Sequence, residues 1–532
     1  VANSAVRRLA APTERSASGG AAAVDKHPGA WGRGETVAFT ANYILGTGFL
    51  TLPYAVAQTG TVLGSLALVV MAALAYVALQ CVMEALARVE PCEVIAAFEP
   101  GASSPGQEVV LENLADLLRE QRARNPEGPA SGYGALEMED WWRTATDERR
   151  GGRRGGPGPP CGWIAPDRRV EMVELMGMYL GPRGKTMFVI MICLYIYAAL
   201  WVYAVLVGQT FASSLPLSPD TSPVLSYWFY LFIFGALVTF LTTKDITGPV
   251  MTAVNLSFAV ARLVMVCVMV LTLLHGLLSV GRGGEARIDP DPAPLYAPAG
   301  MFQMLPTAIF GFIFHHAIPT LVEPVEMKAH VQGDFALTIL LVLLGYLALC
   351  TLSVSLFGGE TLPAVNLNWE EYSPPSEVMG LLVRSFVVFF PAVSLICTYP
   401  LQSITLANQI SAVVPGAPPL VSRLLAACPP IVASALISDL SFVTSLAGIC
   451  GFFIVLVFPC LLQYTSKAYM ERHVPGSSPT HYTSMLTRSP VVVLFVGAIG
   501  AAMAIASLTM ILKDTVVESL WNVLHPHEVQ WP

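Results

Sequence analysis

Charged residues are scarce in this chain: Asp, Glu, Lys and Arg make up 12% of its 532 residues, whereas soluble domains carry about 25%. This excludes an ordinary soluble protein. The absence of a basic, aromatic-interleaved patch argues against nucleic-acid binding. No G-x-S-x-G, H-E-x-x-H or P-loop motif is present, so we expect no enzymatic activity. No C-x-x-C pair suggests a metal site, and we predict no cofactor and no resident metal.

Long apolar runs take the place of charge. A helix of about 20 apolar residues spans the hydrocarbon core of a bilayer, so each run predicts one membrane span and the chain as a whole an all-α polytopic membrane protein. Eleven such runs lie near residues 36–59, 64–87, 186–214, 224–243, 248–278, 303–323, 335–357, 379–407, 422–439, 443–464 and 490–512.

Lys and Arg concentrate on one side of these spans, while residues 215–223 and 359–378 contain none. Cytosolic loops carry the excess of Lys and Arg, so we expect a cytosolic N-terminus in a plasma or vacuolar/lysosomal membrane. The predicted organisation is a disordered cytosolic tail (1–35), spans 1 and 2 (36–89), a long cytosolic loop (90–183), spans 3–5 (184–280), an extracellular or lumenal loop (281–302), spans 6–10 (303–466), a cytosolic loop (467–489), span 11 (490–512) and an extracellular or lumenal tail (513–532).

The long loop between spans 2 and 3 differs from the rest of the chain. Residues 95–170 are rich in Gly and Pro, a composition that cannot bury enough apolar surface to fold alone. We predict a largely disordered linker, with helical spacing of Leu and Val at 107–122. If the protein has cytosolic partners, we expect them to bind residues 95–165.

Two spans are interrupted by helix-breaking residues. Span 1 contains Gly46-Thr47-Gly48, and span 6 contains Pro306, Gly311 and Pro319. Unpaired backbone groups are costly in hydrocarbon, and interrupted helices at matching places in two halves indicate a transporter site. The two spans open successive blocks of five, so an odd number per block inverts the second block relative to the first. A packing role for the small residues is the alternative.

The motif NYILGTGFLTLPYA at 42–55 resembles the first-helix signature of the amino acid/auxin permease family, which includes sodium-coupled neutral amino acid transporters and vacuolar amino acid transporters. Weaker likenesses lie at 310–315, 398–402 and 444–448, so the resemblance covers about residues 36–465 without the inserted loop. It implies eleven helices in a five-plus-five inverted repeat (LeuT-like, APC superfamily), with discontinuous helices 1 and 6 and alternating access for amino acids.

The two breaks are the predicted binding site for a zwitterion. Backbone N–H groups of Gly46, Thr47 and Gly48 would hold the substrate carboxylate at a half-helix N-terminus. Carbonyls around Phe310 and Gly311, with Phe312 beside them, would receive the α-ammonium. Because the motif-bearing parts of spans 1, 6 and 8 contain no Asp or Glu, we expect neutral amino acids.

The coupling ion is left open between a proton and Na⁺. The resemblance implies that Asn42 and Ser394 could hold Na⁺ with oxygen ligands, although both could also serve as interhelical hydrogen-bonding groups. Arg262 lies mid-way along span 5, where a charge needs a cavity or a partner. It either occupies the place of sodium as a fixed charge, or snorkels or pairs with Glu84 or Asp439.

Several other polar residues in the spans are weaker candidates. His315 suits a pH-sensitive role, but a satisfied buried histidine is the alternative. Tyr195, Tyr197 and Tyr203 in span 3 could line or close the pocket. The prediction is therefore a secondary active transporter of neutral amino acids. A non-transporting amino acid sensor or scaffold that uses the long loop is the alternative, and a channel for small polar solutes is a third hypothesis.

Overall fold

The structure is a computed structural model that describes residues 31–98, 162–218 except 167, 221–244, 249–280, 292–413 except 373 and 375, and 418–524. Ten of its helices are long and apolar enough to span a membrane, and the broken span 1 is the eleventh crossing. The spans are Arg33–Ile44 with Gly48–Thr59 (span 1), Thr61–Ala87 (2), Met172–Ser214 (3), Pro223–Thr243 (4), Pro249–Val280 (5), Met301–Gly311 with Ile318–Val322 (6), Val331–Phe357 (7), Glu377–Val413 (8), Pro419–Leu436 (9), Leu440–Phe452 continuing through Phe453–Val457 to Phe458–His473 (10), and Pro490–Leu524 (11).

Helices extend into both ends of the predicted loop 90–183. The helix Val89–Phe98 follows span 2, and span 3 begins at Met172. Span 3 has a non-helical residue, Gly181 with φ 71°, directly before Pro182. Charged residues and Pro182 interrupt the apolar run there. The apolar run therefore predicts a start near residue 186, later than the observed start at Met172. The helix predicted at 107–122 lies outside the described residues.

Spans 1–5 and 6–10 pack with a two-fold pattern of contacts. Four spans of the first block contact the span at the same position in the second block. Other contacts occur in pairs in which the two blocks exchange places: span 1 contacts span 7, and span 6 contacts span 2. The equivalent pairs are spans 1 and 6, 2 and 7, 3 and 8, and 4 and 9; the exchanged pairs include 3–9 with 4–8, 5–7 with 2–10, 5–8 with 3–10, and 1–5 with 6–10. This pattern confirms the predicted five-plus-five repeat.

The broken spans 1 and 6 meet at two glycines. A Cβ atom placed on Gly48 would lie 2.9 Å from the Cα atom of Gly311. Both halves of span 1 contact span 7, and span 6 contacts spans 2 and 10. The glycines therefore allow the two interruptions to touch at the centre of the bundle.

A short pairing outside the spans also links these two elements. The Trp31 N–H donates to the Pro324 carbonyl at 2.7 Å, and the Glu326 N–H donates to the Trp31 carbonyl at 3.2 Å. Trp31 stacks on Phe39 of span 1, with ring centroids 4.4 Å apart. The beginning of span 1 is thus fastened to the end of span 6.

Candidate functional site

The break in span 1 exposes the N-terminus of its second half. The first half ends at Ile44, and the Gly46 N–H donates to the Ile44 carbonyl at 2.7 Å. The Gly46 amide is therefore not free, contrary to the prediction. No described residue accepts a hydrogen bond from the amides of Thr47, Gly48 or Phe49, because the first amides of a helix have no intrahelical partner.

The Thr47 side chain adds a polar atom to this end. Thr47 is the residue that precedes the second half-helix, but its hydroxyl makes no capping bond. The side chain is 9% exposed, and its Oγ1 atom is buried without a hydrogen-bond partner. A buried hydroxyl that lacks a partner carries a free-energy penalty of about 1–3 kcal/mol, so a ligand at this end would relieve it.

The break in span 6 is partly occupied by protein groups. The Phe312 N–H donates to the Ile309 carbonyl, and the Ile313 N–H approaches the Phe310 carbonyl at 3.5 Å. The Tyr346 hydroxyl lies 3.0 Å from the Gly311 carbonyl. Because a carbonyl has two lone pairs, the oxygens of Phe310 and Gly311 can each accept one further hydrogen bond.

Arg262 reaches the break in span 1 from span 5. Its Nη1 atom lies 3.2 Å from the Leu45 carbonyl and 3.4 Å from the Asn42 Oδ1 atom. The C-terminal end of a helix is its negative end, which favours a guanidinium at this position. The Arg262 side chain therefore contacts span 1 and does not snorkel to the membrane surface.

The two carboxylates proposed as partners of Arg262 are engaged elsewhere. Glu84 accepts a hydrogen bond from Arg88 at 2.5 Å, and both side chains are buried. Asp439 accepts from the Ser441 N–H at 2.9 Å, at the N-terminus of span 10. The prediction that Arg262 pairs with Glu84 or Asp439 is therefore wrong, because packing brings span 5 against span 1.

The structure does not join the two candidate sodium ligands. Ser394 donates to the Pro391 carbonyl of its own helix at 2.9 Å. Within the described residues no hydrogen bond links it to Asn42, whose side-chain oxygen instead lies close to Arg262.

Aromatic side chains gather beside the two breaks, and we call the group of Tyr43, Tyr195, Tyr203 and His316 the hollow. Each of them is partly accessible, and 40% of the Tyr43 side chain is exposed. Its hydroxyl lies 3.0 Å from the His316 Nε2 atom. Tyr195 packs between His316 and Phe310. Tyr203, also partly accessible, lies near enough to interact electrostatically with Arg262.

The structure divides the residues suggested by the sequence into two groups. Tyr195 and Tyr203 line the hollow, whereas the Tyr197 hydroxyl donates to the Leu425 carbonyl of span 9. Tyr43 and His316 are not among the predicted site residues, although each adjoins one, Asn42 and His315 respectively. The sequence feature that could have identified them is the interruption of each span, since both residues lie next to one.

His315 is placed away from the hollow. It is fully buried, and its Nε2 atom lies 2.8 Å from the Ala75 carbonyl of span 2. Its Nδ1 atom has no partner. Across the described ranges no group of three His, Cys, Asp or Glu residues could hold a metal ion, so the structure assigns His315 a packing position.

Comparisons with known proteins find one family model that matches part of this chain and several relatives that it resembles. The model of the family described as "Transmembrane amino acid transporter protein" matches residues 30–95. The chain is 23% identical over 479 residues to the Transmembrane protein 104 homolog of Dictyostelium discoideum, covering 82% of this chain and 90% of that relative. It is 25% identical over 397 residues to Transmembrane protein 104 of Homo sapiens, covering 69% and 72%.

Among solved structures, the manganese transporter of Eremococcus coleocola aligns with 93% of this chain and 88% of its own, at 15% identity and a TM-score of 0.40. The family match includes both halves of the broken span 1 and the whole of span 2. The family model, which matches the first two spans, agrees with the resemblance to the amino acid/auxin permease family that the first-span motif indicates.

Proposed function

We propose that this protein is a secondary active transporter that carries neutral amino acids across a membrane by alternating access. The observation that supports this most directly is the meeting, at Gly48 and Gly311, of two interrupted spans, which are the first spans of the two five-span blocks. Free amides of Thr47 and Gly48 would hold the carboxylate, and the carbonyls of Phe310 and Gly311 would receive the ammonium.

The charge around the breaks supports a substrate without a cationic side chain. Arg262 places a fixed positive charge at the end of the first half-helix. The two carboxylates considered as partners of Arg262, Glu84 and Asp439, bind other groups. A lysine- or arginine-like side chain would meet like charge and no described acidic residue, so we propose that neutral amino acids are preferred.

The contacts of Arg262 support proton coupling over sodium coupling. Sodium at this place would need oxygens such as Asn42 Oδ1 and the Leu45 carbonyl, and both lie against the guanidinium. Two like charges 4 Å apart repel by about 4 kcal/mol at an effective dielectric constant of about 20. Arg262 cannot release the proton itself, and we propose His316, in the hollow beside Tyr43, as the group that exchanges it.

The link between spans 1 and 6 supports movement of these spans as one unit. Trp31 is hydrogen-bonded to Pro324 and Glu326 on the far side of the span 6 break. Rocking of this pair against the remaining spans would expose the breaks to each side in turn. From the distribution of Lys and Arg we place the N-terminus in the cytosol, with the protein in a plasma or vacuolar/lysosomal membrane.

Uptake into proteoliposomes tests this proposal. The purified full chain is reconstituted and supplied with labelled neutral amino acids under a proton gradient, with sodium either present or replaced by choline. We expect accumulation that saturates, collapses when a protonophore dissipates the gradient, and does not require sodium. Protein-free liposomes are the control. Absence of accumulation under every gradient contradicts transport, and accumulation driven by sodium alone contradicts the proposed coupling.

A further inference from the structure

Arg262 is a cation inside the bundle that lacks a carboxylate partner. Among the residues that the structure describes, its contacts are one carbonyl and one amide oxygen, both made by Nη1. A guanidinium has five N–H donors in a rigid planar fork, and no described acceptor lies at Nε or Nη2. Charged side chains within membrane spans normally pair with one another or serve a substrate pathway.

The second half of span 1 begins with hydrogen-bond donors that also lack acceptors. The Thr47 hydroxyl is buried and has no partner. The amides of Thr47 and Gly48 begin a half-helix of 12 residues and have no described acceptor. These donors follow Leu45, the residue whose carbonyl anchors Arg262, by two and three positions along the chain. The positive charge of Arg262 therefore lies at the end of the first half-helix, and the free donors lie at the start of the second.

The acceptors around the break are, in contrast, already engaged. The Ile44 carbonyl accepts from the Gly46 N–H, and the Tyr346 hydroxyl lies within 3.3 Å of it. The Gly311 carbonyl also has Tyr346 as a partner. A positively charged ligand would find carbonyls that already accept one or two hydrogen bonds, whereas an anion would find donors that have no described acceptor.

The acidic residues of the surrounding spans do not neutralise Arg262. Glu84 of span 2 binds Arg88, Gln463 and Thr483. Asp334 at the start of span 7 pairs with Arg33 at 2.9 Å, and Asp439 binds the first amides of span 10. In the described part of the chain, the charge of Arg262 is thus left for a ligand to balance.

We propose that Arg262 is the carboxylate-binding residue of this site, and that a carboxylate group, more than an ammonium group, decides which small molecules bind. Nη1 fixes the guanidinium at the Leu45 carbonyl, while Nε and Nη2 offer the planar pair of donors that suits a carboxylate. The ligands are amino acids and also the corresponding small carboxylic acids without an amino group. This inference rests on the proposed function for its transport context but makes a separate statement about binding.

Matched ligands test the statement on the full chain in lipid nanodiscs. Alanine and leucine are each compared with the amide that lacks the carboxylate (alaninamide, leucinamide) and with the acid that lacks the amine (propionate, 4-methylpentanoate). Binding is measured by ligand-induced thermal stabilisation and by displacement of labelled alanine or leucine. We expect the acids to bind within about tenfold of the amino acids, and the amides at least about tenfold more weakly than both, since charge-assisted hydrogen bonds are the stronger ones. Amides that bind as tightly as the acids, or carboxylates that do not bind, overturn the inference.

Variants of Arg262 test the residue itself. Arg262→Ala should weaken binding of every carboxylate at least about tenfold, and Arg262→Lys, which keeps the charge but loses the fork, should be intermediate. Arg423→Ala is the matched control, because Arg423 also donates to a carbonyl at a helix end, that of Thr243, at 2.8 Å. If Arg262→Ala does not fold, the lysine variant and the ligand comparison still decide the question. Unchanged affinity in a folded Arg262→Ala or Arg262→Lys protein overturns the assignment.

Failure of this inference and failure of the proposed function give different results. Carboxylate-dependent binding without any gradient-driven uptake contradicts transport and leaves the role of Arg262 standing. Uptake by Arg262→Ala with the KM of the unaltered chain contradicts the role of Arg262 and leaves transport standing.

Discussion

At the scale of single residues, the sequence indicated where spans 1 and 6 are interrupted but not which side chains surround the interruptions. The glycines of span 1 indicate a break, because a continuous helix in lipid satisfies its backbone hydrogen bonds and is not interrupted without a reason. The partner of Arg262 could not be read in the same way. It depends on packing of span 5 against span 1, and the alternatives Glu84 and Asp439 are equally consistent with the one-dimensional order of the chain. Tyr43 and His316 are brought together only by the meeting of two breaks.

The bond between Tyr43 and His316 gives a prediction at this scale. Tyr43→Phe removes the hydroxyl that lies 3.0 Å from His316 and should lower proton-driven uptake several-fold, since one hydrogen bond contributes about 0.5–1.5 kcal/mol. Tyr197→Phe is the matched control: it also removes one interhelical hydrogen bond, to Leu425, but lies outside the hollow. Initial uptake rates and thermal unfolding are measured for both. Equal loss of uptake in the two variants would count against a role for the hollow.

At the scale of helices, the positions of most spans follow from the length of apolar runs, whereas their irregularities do not. Span 3 continues through Gly181 and Pro182 to Met172, because tertiary packing supports residues that hydropathy leaves out. Span 10 widens into a π-helical turn at Phe453–Val457 before Pro459, which has no N–H to donate. Such features depend on how each helix is held by its neighbours.

Close packing of spans 6 and 10 gives a prediction for one glycine. A Cβ atom on Gly448 would stand in hard contact with the carbonyl of Pro306, so Gly448→Ala must push two backbones apart and should destabilise the protein by about 1–3 kcal/mol. Gly345→Ala in span 7 is the control, because nothing lies within 4 Å of its added Cβ. There the better helix propensity of alanine should stabilise by up to about 1 kcal/mol. Unfolding midpoints in detergent measure both, and the opposite order would contradict the packing.

At the scale of the whole molecule, the eleven-span architecture and its repeat were predictable because spanning length and an odd block size are properties of the sequence alone. The arrangement outside the spans was not. Residues in the last part of the long loop contact the segment between spans 10 and 11: the Gly162 N–H donates to the Pro479 carbonyl at 2.9 Å, and Trp163 Nε1 donates to the Ser477 carbonyl at 2.7 Å. Loop composition carries no signal for such contacts.

Deletion of residues 99–161 separates transport from a sensing role at this scale. The cut leaves the docked residues Gly162 and Trp163 in place, and the breaks in spans 1 and 6 are far from it along the chain. We expect proton-driven uptake within about twofold of that of the full chain, since the deletion removes no group of the site. Trp163→Ala in the full chain shows the effect of disturbing the docked segment alone. Normal binding with uptake abolished by the deletion would favour the sensor or scaffold hypothesis.

The attachment of Trp31 to Pro324 and Glu326 also affects how motion could be observed in this protein. A fluorophore placed at residue 31 would report the position of span 6 together with that of span 1. Two labels, one there and one near residue 325, would keep a constant separation throughout a cycle, whereas a label on either paired with one on span 3 would follow the change.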